Sequence, residues 1–139
     1  MNFVIKTQVD DLHRESYAFR DQKTMYGGRH LTVGDVIFIF ASENEGGPGL
    51  IARGVVTSVR AIPKKPGIAR QTPCVDIKVR RTALARRRLG RAELKPFSIW
   101  KDGRPETELN FKFYRQATNK IGGISDEAAA FLRSFFDAT

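Results

Sequence analysis

Few residues in this 139-residue chain have the types and spacing that catalysis or metal binding requires. A single cysteine, Cys74, excludes both a disulfide framework and a cysteine-cluster zinc site. The two histidines, His13 and His30, are far apart in the sequence, and each is more typical of an ordinary surface or half-buried histidine. We therefore predict no metal site and no cofactor.

Paired carboxylates are present, but each pair falls in a predicted helix cap or turn, where general acid–base catalysis is not expected. The Gly-rich residues 46–49 lack the Lys-Ser/Thr and the following helix of a phosphate-binding loop, and no serine lies in a nucleophile elbow. The pairs are Asp10/Asp11, Glu43/Glu45, Glu106/Glu108 and Asp126/Glu127. We therefore name no catalytic residue and favour a binding protein over an enzyme.

Positive charge is concentrated in one continuous part of the chain. The formal net charge is +9, yet residues 53–104 alone hold fifteen Lys or Arg and three acids, a net of +12. Solubility alone gives no reason to place the positive charges in one part of the chain and most of the negative charges elsewhere. The asymmetry is typical of a protein that binds a polyanion, and we favour nucleic acid over a merely solvated basic face.

Composition is that of a globular protein, with 41% hydrophobic and 28% charged residues. The length fits a single domain over residues 1–139. No apolar run is long enough to span a membrane, and residues 1–8 are too short an apolar stretch for a signal peptide. The sequence therefore predicts a cytoplasmic protein that does not associate with membranes.

Four segments have the residue pattern of β-strands, with apolar residues at alternate positions or, in one case, in an unbroken run. The unbroken run, residues 35–42 (DVIFIFAS), is typical of a central strand. The four segments are residues 2–6, 35–42, 50–60 and 75–81. Gly-rich or Pro-rich turns separate the last three of them, which favours antiparallel neighbours.

Two helices are predicted, one early and one at the end of the chain. The early helix starts near Asp10 and presents one face through Leu12, Ser16 and Phe19. The final helix is capped by Ser125, and the acids that follow suit the positive end of the helix dipole. Phenylalanine and leucine side chains at helical spacing are expected to dock this helix on the sheet.

The secondary structure of the remaining segments is predicted from less regular residue patterns. Residues 109–114 alternate apolar and polar side chains and predict the last strand, and residues 115–123 predict a polar loop. Residues 82–94 fit either a short basic helix or an irregular strand with a turn at Gly90. The phenylalanines assigned to the core are Phe38, Phe111, Phe131, Phe135 and Phe136.

No alternation of strands and helices of the βαβ kind is present, which argues against a parallel, doubly wound sheet. About six mostly antiparallel strands with one early and one late helix remain. The economical architecture is α+β, a small closed β-barrel with flanking helices.

One stretch of the sequence resembles a known family. Gly34-Asp35, five apolar residues and Ala41-Ser42 precede a Gly-rich turn and residues 49–56 (GLIARGVV), as in the EVE domains of the PUA-like superfamily, which also contains YTH and ASCH domains. The strand ending Lys6-Thr7 and the segment from residue 113 to the final helix resemble the family's first and last elements. Phe3 stands where EVE domains usually carry tryptophan.

The resemblance implies a PUA-like barrel with an aromatic pocket that takes one nucleobase, often a modified one, turned out of its strand. Such a base needs a ring to stack on, polar groups for its edge and cations for the flanking phosphates. By position, the resemblance implies pocket residues Lys6, Thr7, Tyr26, Arg29, Phe40 and Ser42. To these we add residues whose types could stack on a base or read its edge: Trp100, Tyr114, Gln116 and Asn119.

Each of these residues also has an ordinary structural interpretation, such as a core aromatic, a turn residue or the polar rim of a sheet.

Nine basic residues of the +12 segment are predicted to bind the phosphate backbone without reading sequence. They are Lys64, Lys65, Arg70, Arg80, Arg81, Arg86, Arg87, Arg88 and Arg91.

Two other functions stay open at this point. An ASCH-like ribonuclease would use Tyr26, Lys6 and Arg29 for acid–base work, and a ribosome- or RNA-associated interaction module would use only the basic face. The sequence does not decide between DNA and RNA, which base modification is recognised, or whether a separate nuclease is a partner. It does not give the oligomeric state either.

Overall fold

The computed structural model describes residues 1–99, 101–115 and 119–137. Within these residues, six strands form a closed barrel in the order β1-β3-β4-β5-β2-β6, and β6 closes the barrel by pairing with β1. The strands are β1 (Asn2–Thr7), β2 (Ser16–Met25), β3 (Val36–Ala41), β4 (Gly49–Ala61), β5 (Cys74–Leu84) and β6 (Lys120–Ile124).

Three α-helices flank the barrel in the described part of the chain: α1 (Arg91–Leu94), α2 (Pro105–Tyr114) and α3 (Asp126–Arg133). Short 3₁₀ turns at Gly28–His30, Glu43–Glu45 and Ser134–Phe136 complete the regular structure there. None of the helices over these residues is long and apolar enough to cross a membrane. The predicted architecture, a small α+β barrel with flanking helices, is confirmed.

Two of the six strand pairs are parallel, β1 with β3 and β2 with β6, and the other four are antiparallel. The parallel pairing of β1 with β3 matters for function, because strands that run in the same direction end at the same edge of a sheet. Thr7 pairs with Ala41, so β1 and β3 end side by side.

Buried side chains form two hydrophobic cores, one inside the barrel and one between its outer wall and the helices. Phe3 and Ile5 point into the barrel, and Val4 packs outward, as the alternation in β1 predicts. β3 is buried on both faces, because its inward residues fill the barrel while Phe38 and Phe40 contact the helical layer. This double burial explains its unbroken apolar run.

The final helix is confirmed. Ser125 is its N-cap and accepts a hydrogen bond from the backbone N–H of Ala128 at 3.1 Å. Glu108 on α2 in turn accepts from the backbone N–H of Ser125 at 2.8 Å and from its hydroxyl. The cap of α3 is therefore fixed to α2, and the two helices are positioned together.

The predicted early helix is wrong. Residues 16–25 form β2, in which Tyr17 and Phe19 are buried and stack on each other with ring centres 5.6 Å apart. The register shifts between Phe19 and Gln22, where Asp21 adopts a positive φ of 56°. The bulge lies beyond the predicted helix face of Leu12, Ser16 and Phe19. Ser16 is exposed and Tyr17 and Phe19 are buried at alternate positions, so the helical spacing of that face was coincidental.

The last strand was also assigned to the wrong segment. Residues 109–114 belong to α2, which starts with Pro105 at its first turn, and the strand β6 lies instead within the predicted loop. Leu109 and Phe113, four residues apart, are both buried on one helix face, whereas Phe111 is 43% exposed. The assignment of Phe111 to the core is therefore wrong.

Candidate functional site

Three strand ends meet at one edge of the barrel. The backbone N–H of Ser42, just after β3, donates to the carbonyl oxygen of Thr7 at 2.8 Å. The backbone N–H of Asn119, just before β6, donates to the carbonyl oxygen of Lys6 at 2.9 Å. We name the group that surrounds this edge the rim site. Its members are Lys6, Thr7, Phe40, Ser42, Glu43, Tyr114, Asn119 and Lys120.

The end of α2 covers the outer face of β1 and β3 at the rim site. Lys6 pairs with Phe40 across the two strands, and both side chains are buried. The Nζ atom of Lys6 donates to the carbonyl oxygen of Phe113 at 2.8 Å and lies 4.1 Å from the centre of the Tyr114 ring. The ring of Tyr114 meets that of Phe40 edge to face, with centres 6.2 Å apart.

Polar contacts fix the outer side of the rim site. The hydroxyl of Tyr114 donates to the carboxylate of Glu43 at 3.0 and 3.2 Å. Burial, together with the Glu43 carboxylate, raises the pKa of Tyr114 well above its ordinary value, so the hydroxyl stays protonated and remains a donor. Thr7 and Asn119 are joined by a 2.8 Å hydrogen bond between their side chains.

Lys120 was missed by the sequence analysis. It is 1% exposed, pairs with Lys6 across β1 and β6, and its Nζ has no hydrogen-bond partner among the described residues. Burial, and then the charge of Lys6, lowers the pKa of Lys120 from 10.5 to about 8. The pKa of Lys6 is also lowered, mainly by burial, although Glu43 opposes the shift.

Ser42 has a buried hydroxyl that likewise lacks a partner among the described residues. Buried polar groups in native proteins are normally hydrogen-bonded, and leaving one unpaired costs about 1–3 kcal/mol. The rim site therefore combines two aromatic rings with unpaired donors from Ser42 and Lys120. The two rings pack edge to face beneath the end of α2, so a ligand reaches these donors only when the rim site opens.

Tyr26 and Arg29 lie elsewhere. The carbonyl oxygen of Tyr26 accepts from the backbone N–H of Gly123, and its ring lies 6.2 Å from that of Phe111. Gly123 is three residues along β6 from Lys120, roughly 10 Å away at about 3.3 Å per residue. Arg29 is exposed in the 3₁₀ turn that follows Tyr26. Trp100 and Gln116 lie outside the described residues.

Four of the predicted phosphate-binding residues follow β5: three lie before α1, and the fourth is its first residue. We name Arg86, Arg87, Arg88 and Arg91 the arginine segment, and all four are exposed. The first three line a groove of about 390 Å³ whose floor includes Leu50 and Ile51. Arg87 donates to the carbonyl oxygen of Ser134 at 2.6 Å and stacks over Phe135.

Glu43 connects the arginine segment to the rim site. Its carboxylate accepts the hydroxyl of Tyr114 on one side and the backbone N–H of Arg91, at 2.5 Å, on the other. The guanidinium of Arg91 donates to the side chain of Asn44 at 2.5 Å. Gly90 permits this approach, since a Cβ atom there would lie 2.6 Å from the Glu43 carboxylate.

The other predicted phosphate-binding residues do not join this group. Lys64, Lys65 and Arg70 are exposed in the loop between β4 and β5, at the far end of that hairpin. Val75, which faces Ala61, is nine residue steps along β5 from Leu84, which is roughly 30 Å at about 3.3 Å per step. Arg80 and Arg81 lie on β5 between the two ends, and Arg81 donates to the backbone of His13 at 2.9 Å.

The described residues hold no group of three His, Cys, Asp or Glu side chains that could bind a metal ion. Cys74 lies at the start of β5, away from the rim site, and burial raises the pKa of its thiol, which makes it a weak nucleophile.

The sequence pattern placed Glu43 in a turn and Lys120 in a loop, so neither residue was predicted as part of the site. Only the alternation of Lys120 with Ile121 could have indicated that Lys120 belongs to a strand.

Comparisons with known proteins identify the fold. No family model matches the sequence, and no curated protein matches it. The DUF55 domain of human thymocyte nuclear protein 1 is similar to this chain over 100% of both chains, with a TM-score of 0.67 and 18% sequence identity. Human THYN1 protein in complex with 5-methylcytosine containing DNA is similar over 99% of this chain and 98% of that one, with a TM-score of 0.63 and 16% identity.

A hypothetical protein from Leishmania major is also similar, with a TM-score of 0.58, 18% identity, and coverage of 96% of this chain and 92% of that one. These likenesses cover nearly the whole chain at low identity, so they establish the fold. The fold that the resemblance implied, a small closed barrel with flanking helices, is confirmed at that level.

Proposed function

We propose that this protein is a non-catalytic nucleic-acid-binding domain that captures a single nucleobase at the rim site. The arginine segment holds the strand on either side of that base. Modified bases, methylated cytosine first among them, are the candidate ligands. This function accounts for both the charge segregation in the sequence and the unpaired buried donors in the structure.

The observation that carries the proposal is the contact made by Glu43. One carboxylate joins the hydroxyl of Tyr114 to the backbone of Arg91, so the aromatic part of the rim site lies next to the start of α1, where the arginine segment ends. A strand that follows the arginine groove toward α1 would approach the rim site, and one of its bases would reach the rings of Phe40 and Tyr114 once the end of α2 moves aside.

The energetics favour a base that leaves its stack easily. Stacking on an aromatic side chain contributes about 1–3 kcal/mol per base, while extrusion from a duplex costs a few kcal/mol. Single-stranded, mismatched or modified bases are therefore preferred. A methyl group on the base adds about 0.8 kcal/mol if it is fully buried, which gives several-fold discrimination only in a closely packed pocket.

The structural neighbour in complex with 5-methylcytosine containing DNA supports testing this ligand first. That complex is a property of the human protein. For the present chain, methylated DNA is a proposal that rests on the shared fold and on the chemistry of its own rim site. RNA is tested as a ligand in the same assay, because a ribosome-associated role would require RNA binding.

The proposal is tested by fluorescence anisotropy with labelled single-stranded oligonucleotides at 50 and 200 mM salt. Two variants separate its parts: Tyr114→Leu removes the ring, and Arg86→Ala with Arg88→Ala removes two cations. The control is Lys95→Ala with Lys101→Ala, which removes two exposed cations that belong to neither region.

We expect the double arginine variant to lower the slope of log affinity against log salt by about 1.4, or about 0.7 per lost phosphate contact. Tyr114→Leu should leave the salt slope unchanged and weaken binding of the methylated strand at least fivefold. Absence of binding to DNA and RNA at 50 mM salt would refute the proposal.

The ribonuclease alternative has no structural observation in its favour. It requires Tyr26, Lys6 and Arg29 to act together, yet the Lys6 ammonium faces the end of α2 while Tyr26 packs beside Gly122 and Phe111. Incubation with labelled RNA tests it, and we expect the RNA to remain intact. Binding of a partner nuclease is a separate prediction for co-purification.

A further inference from the structure

We propose that Lys120 and Lys6 form an anion subsite inside the rim site, which binds an acidic oxygen group of the nucleic acid. That group is a carboxylate carried by the captured base or a backbone phosphate next to it. This inference rests on the proposed function and specifies the ligand chemistry that the rim site selects.

The first support is a row of lysines across the outer wall of the barrel. Lys23, Lys120 and Lys6 occupy neighbouring register positions on β2, β6 and β1. Lys23 is exposed, but Lys120 and Lys6 are 1% and 2% exposed beneath α2. Like charges directly opposite each other on paired strands are destabilising, so the barrel holds two buried cations in an unfavourable arrangement.

The second support is the lack of acceptors around these cations. Lys6 makes one hydrogen bond, to the Phe113 carbonyl oxygen, whereas Lys120 makes none among the described residues and lies 5.6 Å from the centre of the Phe113 ring. Glu43 is the acid whose charge acts on Lys6, and its oxygens already accept from Tyr114 and from the backbone of Arg91. An ammonium group has three donors and no acceptor, so the ligand must bring the acceptors.

The third support is electrostatic. Removing an ammonium ion from water costs several kcal/mol, and an opposite charge in hydrogen-bond contact offsets most of that cost. The charged groups that act on Lys120 and Lys6 include Glu43 and Arg91, so the positive charges outnumber the negative one. An anion therefore suits this position better than a neutral acceptor, and the unpaired Ser42 hydroxyl supplies one further donor at the rim site.

The test follows the side-chain amine of Lys120 by NMR in the full chain. Inorganic phosphate and acetate are the first probes. Single-stranded oligonucleotides with one 5-carboxylcytosine or one 5-methylcytosine are the second, each made with ordinary phosphates and with neutral methylphosphonates beside the base. We expect the apparent pKa of Lys120 to rise by at least one unit when the preferred oligonucleotide is bound.

Affinity measurements on variants accompany the NMR. Lys120→Met and Lys120→Gln should both weaken binding of the preferred oligonucleotide about tenfold or more, because both remove the charge, although glutamine keeps an amide donor on a shorter side chain. Lys95→Met, an exposed lysine on the other side of α1, should have no comparable effect. Thermal unfolding verifies that each variant is folded.

The different oligonucleotides show whether the anion is the carboxylate of the base or a backbone phosphate. Preference for 5-carboxylcytosine that survives methylphosphonate substitution identifies the base carboxylate, and loss of binding on that substitution identifies the phosphate. If an oligonucleotide binds while Lys120 is unperturbed and Lys120→Met binds equally well, the subsite is refuted and the proposed function stands. If phosphate or acetate titrates Lys120 but no oligonucleotide binds, the subsite stands and the proposed function fails.

Discussion

Replacing Lys120 with methionine should make the protein more stable at pH 7, although it removes a residue from the proposed site. Methionine keeps the unbranched apolar stem that packs between β6 and α2 and removes the buried charge. The folded protein lowers the pKa of Lys120 from 10.5 to about 8, and at 1.36 kcal/mol per pKa unit this difference corresponds to a ceiling of about 3.4 kcal/mol.

Solvent that reaches the ammonium and relaxation around it reduce this figure, so we expect a gain of about 1–2 kcal/mol in the free energy of unfolding. The sign of the pH dependence follows from proton binding. Between pH 8 and 10.5 the unfolded chain holds the proton on this lysine and the folded protein releases it, so wild-type stability rises with pH. Below pH 8 both states hold the proton, and the penalty is fully present.

Urea unfolding of wild type and Lys120→Met at pH 7 and pH 9.5 measures both effects. The variant should be more stable at pH 7, and its advantage should shrink at pH 9.5 by about 0.2–0.8 kcal/mol. A variant less stable than wild type at pH 7, or an advantage that does not change with pH, would contradict the description of Lys120 as a buried, unpaired cation.

Two further predictions test the fold and its helical layer. Ser125→Ala removes the cap of α3 and its contact with Glu108, and should cost about 1–2 kcal/mol in urea unfolding; a cost below 0.3 kcal/mol would mean that the cap does not couple α3 to α2. Phe113→Ala should cost about 3–5 kcal/mol and Phe111→Ala about 1 kcal/mol or less, because only Phe113 is buried. Equal costs would favour the strand that the sequence pattern suggested over the helix α2.

The strands with clear alternation or an unbroken apolar run were predictable because burial alone produces those patterns. β1, β3, β4 and β5 all lie where the pattern placed them, and the Ser125 cap of α3 follows from local hydrogen bonding. These features depend on neighbours in the sequence or on a single buried face. They require no knowledge of the tertiary structure.

The elements that were missed depend on contacts distant in sequence. β6 contains Gly122 and Gly123, which provide no apolar pattern, and tertiary contacts account for both. A Cβ atom would lie 3.0 Å from the Phe113 ring at the first and 2.7 Å from the carbonyl oxygen of Tyr26 at the second. In α2, three apolar residues at alternate positions resemble a strand, and only packing against the barrel shows which two are buried.

The candidate site also contains some residues that the sequence indicated and others that only the tertiary structure brings together. Lys6, Thr7, Phe40 and Ser42 were named from the resemblance, and the parallel pairing of β1 with β3 brings them together. Lys120 joins them only because β6 closes the barrel, which no local signal reveals. The prediction for the arginine segment depended on charge alone, and charge does not tell which cations share a face with the aromatic rings.

The most direct test of base capture compares two oligonucleotides with the same charge. A single strand carrying one 5-methylcytosine and the same strand with an abasic site at that position should differ in affinity by about tenfold or more, since stacking contributes about 1–3 kcal/mol. Tyr114→Leu should largely abolish the difference while leaving affinity for the abasic strand unchanged. Equal affinity of wild-type protein for the two strands would show that it binds only the phosphate backbone and would contradict the central claim.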